Sequence, residues 1–131
     1  MQNKPAISVK EIAWEIVAKY ELAAKNEGLS FAKNSVYHGF YYNDILFGIG
    51  ALLYRGKVCT FKSHFVFPPF RKRGLYGKAF LLQKEIAFSK GIRYLYGNCT
   101  KMSVGTHIRL GAEVVEEFRN GITRVRYENI Q

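Results

Sequence analysis

Apolar residues recur along this chain in two rhythms, and the points where the rhythm changes mark off its elements. Val9, Ile12, Ala13, Ile16, Val17, Tyr20 and Ala24 stand at helical spacing, while Lys10, Glu11, Glu15 and Lys19 fall mostly on the other side. Ser8 and Glu11 match a capping box, Ile7 and Ile12 a hydrophobic staple, and Gly28 suits the position just past a helix end. The pattern predicts a first helix opening at Ser8 and stopping at Gly28. Trp14 sits at the margin of its apolar stripe, where a core-edge residue belongs.

From Asn34 the period shortens to that of strands. Residues 35–42 read as a strand, Asn43-Asp44 as a two-residue turn, and residues 45–54 as the returning strand of a hairpin. A tight turn at Gly56 leads into a third antiparallel strand, 58–67, which Pro68-Pro69 ends because proline cannot donate to a ladder. Helical spacing returns over 74–90, with Leu75, Ala79, Leu82 and Ile86 on one face and Gly91 as the stop. Residues 92–98 then read as a strand, 103–110 as a short helix closed by Gly111, and 112–118 with 122–127 as a final hairpin. A strand, a helix of this length and another strand imply a parallel pair. The expected fold is one mixed α/β (α+β) domain over residues 1–131, mostly antiparallel with a central parallel pair, in the order α-βββ-α-β-α-ββ.

Composition narrows the picture. With 131 residues, 48% of them hydrophobic, the chain has the length for one core. No run is long enough to span a bilayer, and Met1-Gln2-Asn3-Lys4-Pro5 lacks the pattern of a signal peptide, so a cytoplasmic protein without membrane attachment is expected. Cys59 and Cys99 lie on separate strands without metal-ligand spacing and read as buried thiols, and no metal site is expected. Twenty Lys and Arg against ten Asp and Glu give a net charge of +10, which favours an acidic macromolecule or nucleic acid as partner and disfavours a polycationic substrate. A basic, well-solvated surface is the plainer reading of the same excess.

The segment richest in chemistry joins the third strand to the second long helix. Phe65, Val66 and Phe67 run into Pro68-Pro69-Phe70, then Arg71, Lys72, Arg73, Gly74, Leu75, Tyr76, Gly77 and Lys78. A loop that opens a helix presents unpaired N–H groups and the positive end of the helix dipole, glycines allow close approach, and the cations add charge. It is built to hold phosphate.

Arg71-x-x-Gly74-x-x-Gly77, in this setting and order of elements, resembles the GNAT (Gcn5-related) N-acetyltransferases, whose loop is usually Arg/Gln-x-x-Gly-x-Gly/Ala. Tyr76 takes the usual second small position, and the family's first strand is missing or very short before the predicted helix. The resemblance implies acetyl-CoA as acyl donor, with its pyrophosphate on residues 73–78 and charge from Arg71 and Lys72. It implies further that the pantetheine arm lies beside Phe65, Val66 and Phe67, whose backbone groups would bond it while one N–H polarises the thioester. Aligned on Gly111, His107 stands where the family often places a tyrosine general acid, with Thr100 for a frequent asparagine and Ser103 for a small residue. His107 is thus the candidate acid, acting as imidazolium because histidine titrates near neutrality; a merely structural histidine is the other reading.

No general base stands out. His38 and His64 read as structural, ordered water would serve, and Glu85, Glu113, Glu116 and Glu117 read as surface charges. Tyr37, Tyr41, Tyr42, Tyr94 and Tyr96 make the sheet rich in aromatics, by default for packing and otherwise for stacking bases. The leading function is acetyl transfer to an amine. A GNAT-like DNA base modification of the phage Mom type and a non-catalytic binding module are the alternatives, and a homodimer through the final strands stays open.

Overall fold

Two successive hairpin turns build the middle of the sheet. Asn43 and Asp44 take positive φ (48° and 68°), as a tight two-residue turn requires, and fold Val36–Tyr42 (β2) back on Ile45–Arg55 (β3). Gly56, at φ 61°, does the same between β3 and Val58–Val66 (β4). The computed structural model describes residues 6–130.

The first element departs from expectation. Ile7–Ile12 is a strand (β1), antiparallel to β2 from Ile7 opposite Tyr42 to Ile12 opposite Tyr37. The local capping signal competes with an open strand edge, and the alternation of Ile7, Ser8, Val9 and Lys10 lets the edge win: Ile7 and Val9 pack onto the cluster of Phe40, Phe47, Leu75 and Ala79. The strand that looked missing is present. Helix begins only at Trp14–Ala18 (α1) and resumes at Glu21–Lys25 (α2), with Gly28 at φ 83° closing the second piece as expected. Trp14 does pack at the edge of its cluster.

A single 310 turn, Pro68–Phe70, leads from β4 into Leu75–Ser89 (α3), followed by Tyr94–Cys99 (β5), Lys101–Arg109 (α4), Glu113–Glu117 (β6) and Thr123–Glu128 (β7). The sheet order is β1-β2-β3-β4-β5-β7-β6, antiparallel except for the parallel pair β4 and β5. The mixed, mostly antiparallel architecture is as anticipated, with β1 added in front and the first helix broken in two.

The face of α3 is rotated from the expected one. Leu75 and Ala79 are buried, but Leu82 is exposed and Ile86 only half-buried, while Phe80, Gln83 and Ala87 point inward. Helices α1 and α2 cover the opposite face over β2, β3 and β4, through Val17 and Ala24 against Tyr37, Ile49, Ala51 and Phe65. Cys59 and Cys99 are free and buried. Among the described residues, no helix is long and apolar enough to cross a membrane.

Candidate active site

The site arises where the parallel pair comes apart. β4 and β5 stay in register from Val58 opposite Tyr94 to Phe61 opposite Gly97, and there the pairing stops although both strands continue. On the other side of β4 the register to β3 slips by one residue: Ile49 faces Phe65, but Ala51 faces Lys62. The extra residue lies at Ser63 and His64, and Ser63 takes φ 55°, costly for a side chain that is not glycine. Its hydroxyl donates to the Ser30 carbonyl (2.7 Å), tying the bulge to the segment after α2.

Between the diverging strands opens a cavity of about 540 Å3, whose walls include Phe61, Ser63, His64, Phe65, Tyr76, Cys99, Ser103 and His107. A second cavity, of about 530 Å3, is lined by Phe70, residues 71–77, Thr106 and Arg109. The two share Val66, Arg71, Tyr76 and Thr106, so they are neighbouring compartments of one groove.

The second compartment has the makings of an anion site. Gly74 precedes α3 at φ 73°, no side chain caps the helix, and an α-helix leaves its first four N–H groups, here on Gly74 to Gly77, without intrahelical partners. Lys72 is also left-handed, at φ 61°. Arg71 reaches across the groove instead, donating to the Val66 carbonyl and to Glu27 (both 2.7 Å).

The first compartment is floored by a chain of hydrogen bonds. Gln83 Nε2 lies 3.2 Å from both the Gly50 carbonyl and His38 Nδ1, while Gln83 Oε1 lies 2.8 Å from His64 Nε2. Tyr76 Oη is 2.9 Å from His64 Nδ1 and 3.1 Å from His107 Nε2, and His107 Nδ1 is 2.8 Å from Tyr127 Oη. Proton directions follow from who can donate. A carbonyl only accepts, so Gln83 presents its amide nitrogen to Gly50 and its oxygen accepts from His64 Nε2–H. Neutral His64 then accepts from the Tyr76 hydroxyl, whose oxygen accepts from His107 Nε2–H. The Tyr127 hydroxyl has one proton for two acceptors, the His107 carbonyl (3.1 Å) and His107 Nδ1 (2.8 Å), and the run of bonds to Gln83 is complete when that proton goes to Nδ1.

Burial keeps these groups uncharged. It pushes His64 down to about 3 and His107 down to about 4, lowers His38, and raises Tyr76 well above its ordinary value. The imidazolium expected of His107 is therefore not its resting state: the ring is buried against Phe61 and Phe80 and no carboxylate faces it to stabilise a charge. Two glycines make room for the network, since a β-carbon on Gly50 would overlap His64 and one on Gly97 would overlap the Phe61 ring.

The structure brings Phe65, Val66, Arg71, Tyr76 and His107 to the first compartment and Lys72, Arg73, Gly74, Leu75 and Gly77 to the second. Lys78 turns to a separate hollow beside Ile7 and Tyr42. Phe67 lines neither compartment; it stacks on Tyr20 (4.5 Å), and its N–H is taken by the Phe47 carbonyl (2.8 Å). Thr100 and Ser103 cap α4, the Thr100 N–H donating to Ser103 Oγ (3.1 Å). Reading the sequence missed the bulge at Ser63, the cavity-facing Glu27, and Gln83. For Gln83 a signal existed: it continues the i, i+4 row of Leu75 and Ala79, where a polar residue asks for a buried partner.

No family model and no curated protein matches the sequence. Solved structures do match. An IAA acetyltransferase from Bacillus cereus is 14% identical, covers 95% of this chain and 100% of its own, and has a TM-score of 0.76. The ribosomal-protein-S18-alanine N-acetyltransferase from Escherichia coli is 8% identical over 94% of both chains, with a TM-score of 0.77. An acetyltransferase from Bacillus subtilis, solved in complex with CoA, is 16% identical over 97% of this chain and 100% of its own, with a TM-score of 0.70. Coverage from end to end at such low identity is a likeness of architecture, and it establishes that this chain has the GNAT acetyltransferase fold.

Proposed function

We propose that the protein is an acyl-CoA-dependent N-acyltransferase that moves acetyl from acetyl-CoA to an amine. The observation that carries this reading is the parting of β4 and β5 beyond Phe61 and Gly97, which opens a cavity directly beside a cationic helix N-terminus. The residues present fit such a donor. The N–H groups at the start of α3, with Lys72 and Arg73, would hold a pyrophosphate, and the gap along Phe65 and Val66 would take an extended arm as though it were a strand. Arg71 must then exchange its bond to the Val66 carbonyl for one to the ligand.

When bound, the thioester supplies an activated acyl group and a sulfur that must leave protonated. Tyr76 holds the proton best placed for that sulfur, at the floor of the cavity; His107 Nε2–H, donating to the same oxygen, would steady the phenolate until the proton shed by the acylated amine restores the hydroxyl. His107 in this scheme is a positioning residue for Tyr76, and the transferred proton is the tyrosine's. The backbone at the Ser63 bulge, freed from regular pairing, is the place for a donor to the thioester carbonyl.

Calorimetric titration with acetyl-CoA tests the reading, using Gly77→Glu as the disrupted variant and Gly77→Ala as its control. Gly77 is preferred to Gly74 because an added β-carbon there meets Leu110 at an ordinary 3.6 Å, whereas any side chain at Gly74 is strained by its φ. Micromolar binding lost in the Glu variant but kept in the Ala variant is the expected result. No binding by the unaltered protein overturns it.

A further inference from the structure

The outer face of the sheet is covered unevenly. Helices α1 and α2 pack on β2, β3 and β4, but their cluster contains no residue of β5 or β7. Along those two strands the inward residues Leu95, Cys99, Val125 and Tyr127 are buried under α3 and α4, while the alternating residues Tyr94, Tyr96, Arg124 and Arg126 face out and stay partly exposed.

These outward residues are ordered into a cation–aromatic array. The Arg124 guanidinium lies 4.5 Å over Tyr96, Arg126 lies 4.7 Å over Tyr94, Arg93 lies 5.5 Å over Tyr94, and the two rings are 6.0 Å apart. Glu113 pairs with Arg126. Apart from that pair and the one between Arg71 and Glu27, no Lys or Arg among the described residues lies within ion-pair distance of a carboxylate. Glu128 lies near enough to Arg93 to act on its charge, and Glu116 stands opposite Arg124 on β6, but neither closes an ion pair, so Arg93, Arg124 and Lys62 keep cationic groups without a paired carboxylate. The array runs on into the site, because Lys62 and Asn98, on the neighbouring stretches of β4 and β5, line the first compartment.

We propose that this open face of β5 and β7 binds a single-stranded nucleic acid and leads it toward the cavity. Flat rings and guanidinium groups two residues apart on adjacent strands suit unstacked bases, which rest on aromatic side chains and arginine planes, and the surplus cations suit the phosphates between them. A duplex has its bases stacked inside and gains nothing from the rings. An acidic peptide meets the charge but has no flat group for the tyrosines. The proposal does not depend on acyl transfer.

Fluorescence anisotropy with a labelled mixed-sequence single strand of about twelve nucleotides tests it, as RNA and as DNA. Expected is salt-sensitive binding, weakened about tenfold by Tyr96→Ala and by Arg124→Ala, with Arg124→Ala also flattening the salt slope. Melting temperature and acetyl-CoA titration of both variants show that fold and groove are intact. Absence of binding, equal binding of duplex, or loss of affinity to added polyglutamate with no effect of Tyr96→Ala each overturns the proposal, the last pointing to an acidic protein surface instead.

Discussion

The two compartments of the groove work by opposite physics. At the start of α3 the side chains are exposed cations, two backbone positions are left-handed, and polar N–H groups face the groove without a cap. One step away, at the floor of the neighbouring compartment, the titratable groups are buried or half-buried, uncharged and bonded in one direction from Tyr127 to Gln83. Charge and uncapped backbone N–H groups attract a ligand. A fixed neutral array holds protons at stated atoms and does not reorganise when something binds.

Substitutions at the two ends should therefore separate binding from turnover. Tyr76→Phe removes the hydroxyl between two imidazoles; turnover should fall about a hundredfold while the KM for acetyl-CoA stays within about threefold. Equal loss in both would make Tyr76 part of the binding surface. Gly77→Glu should do the reverse, raising the acetyl-CoA dissociation constant at least about tenfold at unchanged melting temperature.

Gln83→Leu probes the neutral end without touching the groove. It strands His64 Nε2–H, His38 Nδ1 and the Gly50 carbonyl together, and chemical denaturation should show a loss of about 2 kcal/mol. Acid has a related effect. His64 and His107 have folded values near 3 and 4, below the unfolded value of about 6.5, so the unfolded chain takes up protons first. Their contribution is whole above about pH 6.5 and is lost as pH falls toward about 4 for His107 and about 3 for His64, at up to about 1.4 kcal/mol per pH unit for each. Urea titrations stepped down from neutrality would detect it, and a flat profile would contradict the neutral assignment. Glu27→Gln, which breaks only the exposed pair with Arg71, should change stability by less than about 1 kcal/mol.

What could be read from the chain divides along a similar line. The turn at Asn43-Asp44, the stop at Gly28 and the loop before α3 were legible because each is decided by a few neighbouring residues with special backbone needs. Ile7–Ile12 was not, because its local signal for helix was sound and lost only to an edge some thirty residues away in sequence. The bulge at Ser63 has no composition of its own; it exists because β3 and β4 must reconcile two registers. His107 could be placed at the site by its spacing to Gly111, but its charge state depends on Phe61, Phe80 and Tyr127, which reach it from three other elements.

The bare backbone at Gly97 sets the width of the opening. Phe61 lies across it, in contact with both His64 and His107. A single methyl there would push the aromatic ring toward the imidazoles whose bonds Tyr76 joins, so a position that bears no functional group and meets no ligand governs where two protons sit. A mutational scan of this protein would score Gly97 beside the reactive residues, and a chemist looking only for heteroatoms would pass it by.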